Sequence, residues 1–172
     1  DGFIAFAPDA LYPLGGYPGD EDKARELFAT LDQDKTRQDF IEAVRILQKL
    51  PQGNGKVGVV GFCYGGGMAN FLASELPDLA AAVPFYGRQA DLTKVAAIRA
   101  PLLIHYASDD ERVNAGAQAY DEALKAAGKN AQSFIYPDTQ HGFHNDTTPR
   151  YDHTAAELAW DRTIKFFKQY LS

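Results

Sequence analysis

A mostly parallel β-sheet with helices on both faces, the α/β class, is what this sequence predicts, and two observations carry the prediction. Short apolar runs rich in Val, Ile, Phe and Ala recur between turns bearing glycine, proline and aspartate, and segments with apolar residues at helical spacing separate them. Strands that are apolar along their whole length are buried on both sides, which requires helices above and below the sheet.

In chain order, residues 3–7 are an apolar run and are expected as the first strand. Residues 9–20 form a loop rich in Gly, Pro and Tyr, a composition that suits the lining of a pocket better than a core. Residues 20–31 open with acids in a first helical turn, and 34–50 place Phe40, Ile41, Val44, Leu47 and Leu50 on one helical face before Pro51. Strand 56–62, helix 65–75, strand 80–86 and strand 101–106 follow. Helix 115–127 ends at Gly128, residues 132–136 are a strand, and helix 154–170 sets Trp160, Ile164 and Phe167 on one face, with Leu171 continuing it. No repeat or linker interrupts the pattern, so residues 1–172 read as a single domain.

With 172 residues, 45% hydrophobic and 12% aromatic, the chain has material for one well-formed core. A net charge of -6 with 17 scattered basic residues argues against a nucleic-acid partner or an anionic membrane surface. One cysteine excludes an internal disulfide, and no apolar run reaches membrane-spanning length. A cytoplasmic location is expected. The sequence opens at Asp1 with its one methionine at Met68, from which a processed amino terminus or a start partway through a longer product is expected.

The chemistry centres on Gly61-Phe62-Cys63-Tyr64-Gly65, which follows the apolar run at 57–60 and precedes a helical pattern. This is the layout of a nucleophile elbow, a sharp strand-to-helix turn whose flanking glycines permit a crowded backbone and whose central side chain stands above the sheet. A lone cysteine is ordinarily a small buried hydrophobe. Here the register of strand, glycines and helix makes it a nucleophile instead, with its thiol at a helix N-terminus that favours thiolate. Functional groups of a parallel sheet gather in loops beyond the carboxyl ends of the strands. Two such loops carry Asp109-Asp110-Glu111 and then His141, so the order nucleophile, acid, histidine is that of the α/β-hydrolases. His141 would accept the thiol proton, and one carboxylate of the triplet would orient it. A metal site from His141, His144, Asp146, Asp152 and His153 is a weaker reading, since His-x-x-His is not a defined zinc spacing. His105, within a strand, reads as a satisfied core residue.

These motifs resemble the dienelactone hydrolase (carboxymethylenebutenolidase) family, cysteine-nucleophile members of the α/β-hydrolase fold. Gly61 to Gly66 match the family's Gly-x-Cys-x-Gly-Gly, Asp110 to Val113 its Asp-x-x-Val, and His141 to Phe143 its His-x-Phe. The resemblance selects Asp110 as the acid and implies a Cys63, His141 and Asp110 triad without metal or organic cofactor. It implies the backbone N–H of Tyr64 as an oxyanion donor, and Tyr12, Tyr86, Arg88 and Phe143 as substrate contacts around a small ester or lactone.

Two departures qualify that expectation. Family members that open dienelactone hold its carboxylate with arginines, at places where this chain has Leu14 and Asn145. Each missing cation removes a charge-assisted hydrogen bond of about 1.5–3 kcal/mol, so neutral esters or lactones are expected over an anionic one, with Arg88 as a substitute cation. The resemblance also places a further strand between residues 3–7 and the Cys63 strand, with a second oxyanion N–H in its loop, and this sequence lacks it. Amino-terminal strands are therefore expected to be missing, with a homo-oligomer or a lost segment covering the open edges. The alternative to a hydrolase is a catalytically impaired relative acting as a binding or scaffold protein.

Overall fold

Residues 58–62 (Gly-Val-Val-Gly-Phe) form the strand that carries the elbow, β1, because β-branched pairs between glycines suit a covered strand that a helix approaches closely. The computed structural model describes residues 2–172. It divides into two compact units, Asp1–Gly55 and Lys56–Ser172.

The first unit contains a 3₁₀ turn at Tyr12–Leu14 and two helices, α1 at Glu21–Ala29 and α2 at Gln33–Gln48. Both helices begin on aspartate caps. Asp20 accepts the N–H of Lys23 at 2.9 Å, and Asp32 accepts those of Asp34 and Lys35 at 3.1 and 3.0 Å, satisfying otherwise orphaned donors of each first turn. The strand expected at residues 3–7 does not form: this segment belongs to none of the four strands, and Ile4 and Phe6 are 55% and 58% exposed. Apolar composition supplies the side chains of a strand, but ladder pairing with a neighbour makes one.

The second unit runs β1, α3 (Tyr64–Glu75), β2 (Ala81–Phe85), β3 (Leu102–Asp109), α4 (Glu111–Asn114), α5 (Ala117–Ala126), β4 (Ala131–Gln140) and α6 (His153–Leu171). The four strands lie side by side in sequence order, all parallel. A 3₁₀ segment at Leu92–Ala97, not anticipated from the pattern, joins β2 to β3. Strand β2 is buried along its whole length although it contains Pro84. The N–H of Ala82 donates to the carbonyl of Pro101, just ahead of β3, at 3.0 Å and that of Tyr86 to His105 of β3 at 2.7 Å, so Pro84 between them removes the one donor due at that step.

Two glycines on β1 show how the sheet is covered. A Cβ on Gly58 would lie 2.8 Å from Phe167 and 3.1 Å from Leu171, both on α6, whereas one on Gly61 would meet Gly65 at the start of α3. Residues three apart on a strand face opposite ways, so α6 and α3 cover opposite faces. The α6 face holds a core of Ala81, Val83, Phe85, Leu103, Ala107, Tyr136, Phe143 and Phe167. On the other face Tyr120 of α5 donates to Asn70 Oδ1 of α3 at 3.3 Å. The α/β class with helices on both faces is thus the observed architecture.

His105 is the satisfied core residue expected of it. It is fully buried, Tyr136 donates to Nδ1 at 2.9 Å, and Nε2 faces Thr163 Oγ1 at 3.2 Å. Thr163 spends its own proton on the Ala159 carbonyl, so Nε2 is the protonated nitrogen. Burial, reinforced by the charge of Arg162, depresses this imidazole to about 3 and keeps it neutral.

Candidate active site

At the end of β1 the chain makes its last ladder bond from Cys63 N–H to the Phe85 carbonyl, 3.0 Å, while the Cys63 carbonyl already accepts the Gly67 N–H of α3 at 3.1 Å. One residue serves strand and helix together, and it does so at φ 55°, ψ -112°, a left-handed conformation that a side-chain-bearing residue adopts only under constraint. The constraint is close backbone contact. A Cβ on Gly61 would sit 1.9 Å from the Gly65 carbonyl oxygen, one on Gly66 would sit 2.4 Å from the Phe85 oxygen, and one on Gly87 would sit 2.2 Å from the Gly66 carbonyl carbon. Gly65, by contrast, has nothing within 4 Å of the corresponding position. The pair of glycines expected to permit the elbow is therefore replaced by three: Gly61 before the thiol, Gly66 in α3 and Gly87 beyond β2.

The other two side chains arrive by sheet register. Asp109 of β3 pairs with Gln140 of β4, so the residues that follow, Asp110 and His141, leave the sheet next to each other. His141 Nδ1 lies 2.5 Å from Asp110 Oδ2, and its Nε2 lies 3.0 Å from Cys63 Sγ. An ionised carboxylate only accepts, so Nδ1 carries a proton and Nε2 is the nitrogen turned to sulfur. Asp110 is 6% exposed, and its second oxygen caps α4 by accepting the Val113 N–H at 3.3 Å. Asp109 is exposed and accepts from Ser108 Oγ at 3.0 Å.

The electrostatics shift both groups toward their charged forms. The His141 hydrogen bond holds the Cys63 thiol below its ordinary range against the opposing effect of burial, and the charge of His141, the Tyr64 N–H and the charge of Arg112 act in the same direction. His141 is raised, chiefly by its bond to Cys63 and then, against burial, by Asp110. Thiolate and imidazolium stabilise each other here, at an exposed cysteine that solvent and small molecules can reach.

The sequence as a whole points the same way: the model of the dienelactone hydrolase family matches residues 1–171. The chain belongs to the dienelactone hydrolase family. It is by that membership a hydrolase of the α/β-hydrolase fold. Protein usf of Aquifex pyrophilus is 36% identical over 182 residues, covering 100% of this chain and 77% of that protein. A provisionally named carboxymethylenebutenolidase of Saccharolobus solfataricus is 35% identical over 150 residues, 86% of this chain and 58% of that protein's length. Among solved structures, a provisionally named dienelactone hydrolase from Klebsiella pneumoniae superposes with a TM-score of 0.80 at 25% identity, over 93% of this chain and 73% of that one.

The remaining expected residues of this family member fall in different settings. Tyr64 opens α3 with its N–H directed at the sulfur. Tyr86 is 3% exposed and packs on His141 with ring centroids 5.1 Å apart. Phe143 has no exposed surface and lies in the α6-side core against Tyr136 and Phe85, so it is a packing residue, not a pocket wall. Arg88 is exposed, its carbonyl accepting from Asn70 Nδ2 at 2.9 Å. Tyr12 belongs to the first unit and is 80% exposed. Besides His141, the charge that acts on the thiol is that of Arg112, which sequence reasoning passed over although it stands inside the Asp-x-x-Val segment. His141 and His144 face different neighbours, the latter ring lying 5.1 Å from Phe62 and 5.6 Å from Trp160. Among the described residues no group of three or more His, Cys, Asp or Glu side chains is placed to hold a metal ion, and no helix is long and apolar enough to cross a membrane.

Proposed function

We propose that this protein hydrolyses small esters or lactones through an acyl-cysteine intermediate, with Cys63 as nucleophile, His141 as general base and acid, and Asp110 as the group that orients and stabilises the imidazolium. The observation that carries the reading is the double engagement of one imidazole, 3.0 Å from the thiol on one side and 2.5 Å from a buried carboxylate on the other.

In the first half-reaction the Cys63 thiolate adds to the substrate carbonyl carbon, and negative charge collects on the carbonyl oxygen. The Tyr64 N–H at the start of α3 is the donor that meets this oxyanion. Collapse expels the alkoxide, His141 gives it the proton, and the acyl group remains on sulfur as a thioester. In a lactone the alkoxide stays tethered to the acyl chain. Water then attacks the thioester as His141 removes its proton, and the thiolate leaves as the carboxylic acid departs. Asp110 keeps its charge throughout.

The pH dependence follows from these two displaced titrations. Lowering the thiol and raising the imidazole bring the two titrations toward each other and so favour the charged pair; the thiolate is lost as pH falls through the lowered thiol value, and the imidazolium as pH rises through the raised histidine value. Alkylation of Cys63 by iodoacetamide should therefore rise to its plateau at a lower pH than the ordinary thiol midpoint of about 8.5. In His141→Ala the midpoint should return toward that value, and the alkylation rate at about pH 6.5 should fall, since below its midpoint a thiol loses thiolate as that midpoint rises. Equal alkylation profiles for the two proteins would remove the ion pair from this account and favour a noncatalytic binding protein.

A further inference from the structure

Tyr86 is a bulky residue at φ 36°, in the left-handed region where such side chains are rare. It follows the last residue of β2, and its N–H makes a 2.7 Å bond to the His105 carbonyl, so its backbone is held by the sheet. Held backbone strain of this kind persists where surrounding structure demands it, and what the conformation achieves is visible in the contacts of the ring. The ring centroid lies 5.1 Å from that of His141, inclined 60°, and 5.4 Å from Phe143, edge-on at 70°. The hydroxyl faces the backbone N–H of His144. Three points of the segment 141–144 thus dock on one side chain, while Gly142 within it takes φ 89° and gives the backbone little rigidity of its own.

His141 has its two ring nitrogens engaged by Asp110 and Cys63, and those bonds, made at the ring edge, leave it some freedom to rock about its Cβ–Cγ bond. A packed aromatic surface removes that freedom. Tyr86 supplies one, and at 3% exposure it has little surface left with which to touch a substrate. Burial, and next the nearby Cys63 charge, hold its phenol above its ordinary range, so it stays neutral and does no acid–base work near neutral pH.

We infer that Tyr86 is a positioning residue: its ring is the platform that holds the His141 imidazole in line between Asp110 and Cys63, a role distinct from the substrate contact expected of it. This rests on the proposed roles of Cys63 and His141. A displacement of about 1 Å in such a group costs on the order of a hundredfold in rate, because proton transfer depends on alignment.

The test compares wild type, Tyr86→Leu and Tyr86→Phe, each checked for folding by thermal unfolding, in the hydrolysis of a p-nitrophenyl ester and in iodoacetamide alkylation against pH. Tyr86→Leu should lower kcat by about 10- to 100-fold with KM changed less than about twofold, and should move the Cys63 alkylation midpoint up toward that of an ordinary thiol. Tyr86→Phe, which keeps the ring, should recover most of kcat and keep the low midpoint. A Leu variant whose KM rises while kcat and the midpoint stay as in wild type would overturn the inference in favour of substrate contact. Should Tyr86→Leu not fold, the Phe variant decides: wild-type-like kcat and midpoint support the platform, and a loss as large as about 100-fold would overturn it by placing the function in the hydroxyl. A wild-type midpoint already at the ordinary value would overturn the Cys63–His141 pairing and this inference with it, whereas a low wild-type midpoint that Leu leaves unmoved removes only the inference.

Discussion

Cys63→Ala is expected to lower hydrolysis of a p-nitrophenyl ester by at least about 10⁴-fold, and His141→Ala by a similar factor, because nucleophile and base work as one unit and losing either removes the covalent route. Asp110→Asn is expected to cost less, roughly 10³- to 10⁴-fold. It leaves the imidazole in place but puts an amide where the ionised oxygen now sits 2.5 Å from Nδ1, which weakens the preference for the required tautomer and for the imidazolium. The double variant of Cys63 and His141 should be scarcely worse than either single one. Steady-state kcat/KM for the four proteins checks all of this, and additive losses in the double variant would indicate that the two side chains act separately.

The second large effect concerns the backbone under the thiol. Gly61→Ala should leave little folded protein, since its Cβ would stand 1.9 Å from the Gly65 carbonyl oxygen and 2.2 Å from its carbonyl carbon, backbone atoms that cannot move without opening the elbow. A loss of roughly 4 kcal/mol or more is expected, the scale of severe core overpacking. Gly65→Ala should fold within about 1 kcal/mol of wild type, because its Cβ would enter open space and alanine favours the helix. Thermal unfolding of both variants checks the contrast. Equal tolerance at the two positions would mean that the close approach between β1 and α3 is not what shapes the turn.

Why sequence reading located the thiol but misjudged its supports is a matter of range. Gly-x-Cys-x-Gly after an apolar run is a local pattern, so Cys63 and the helix beneath it were legible. The contact of Gly66 with Gly87 joins α3 to the residue pair after β2, and no spacing within either segment reveals it. The choice between Asp109 and Asp110 has the same character. Composition treats them alike, and they part only because β3 stays paired with β4 to Asp109 and Gln140, which leaves Asp109 in the sheet and sends Asp110 inward. That continued pairing is also why β4 runs to Gln140, past the Tyr136 end expected from its apolar residues and through Pro137. Phe143 read as a pocket residue because an aromatic side chain near a histidine suits a pocket wall and a core equally well; its total burial against α6-side residues decides for the core. The apolar run at residues 3–7 had the right composition for a strand, and composition is silent on whether a neighbour pairs with it.

The central claim is that acyl transfer passes through the sulfur of Cys63, and intact-protein mass spectrometry during the first turnovers of a p-nitrophenyl ester tests it most directly. The predicted result is a transient mass increase equal to one acyl group, mapped to Cys63 after proteolysis at acid pH, and absent from Cys63→Ala. Steady hydrolysis by Cys63→Ala at a near-normal rate, or an acyl group that accumulates on another residue while Cys63 stays free, would contradict it.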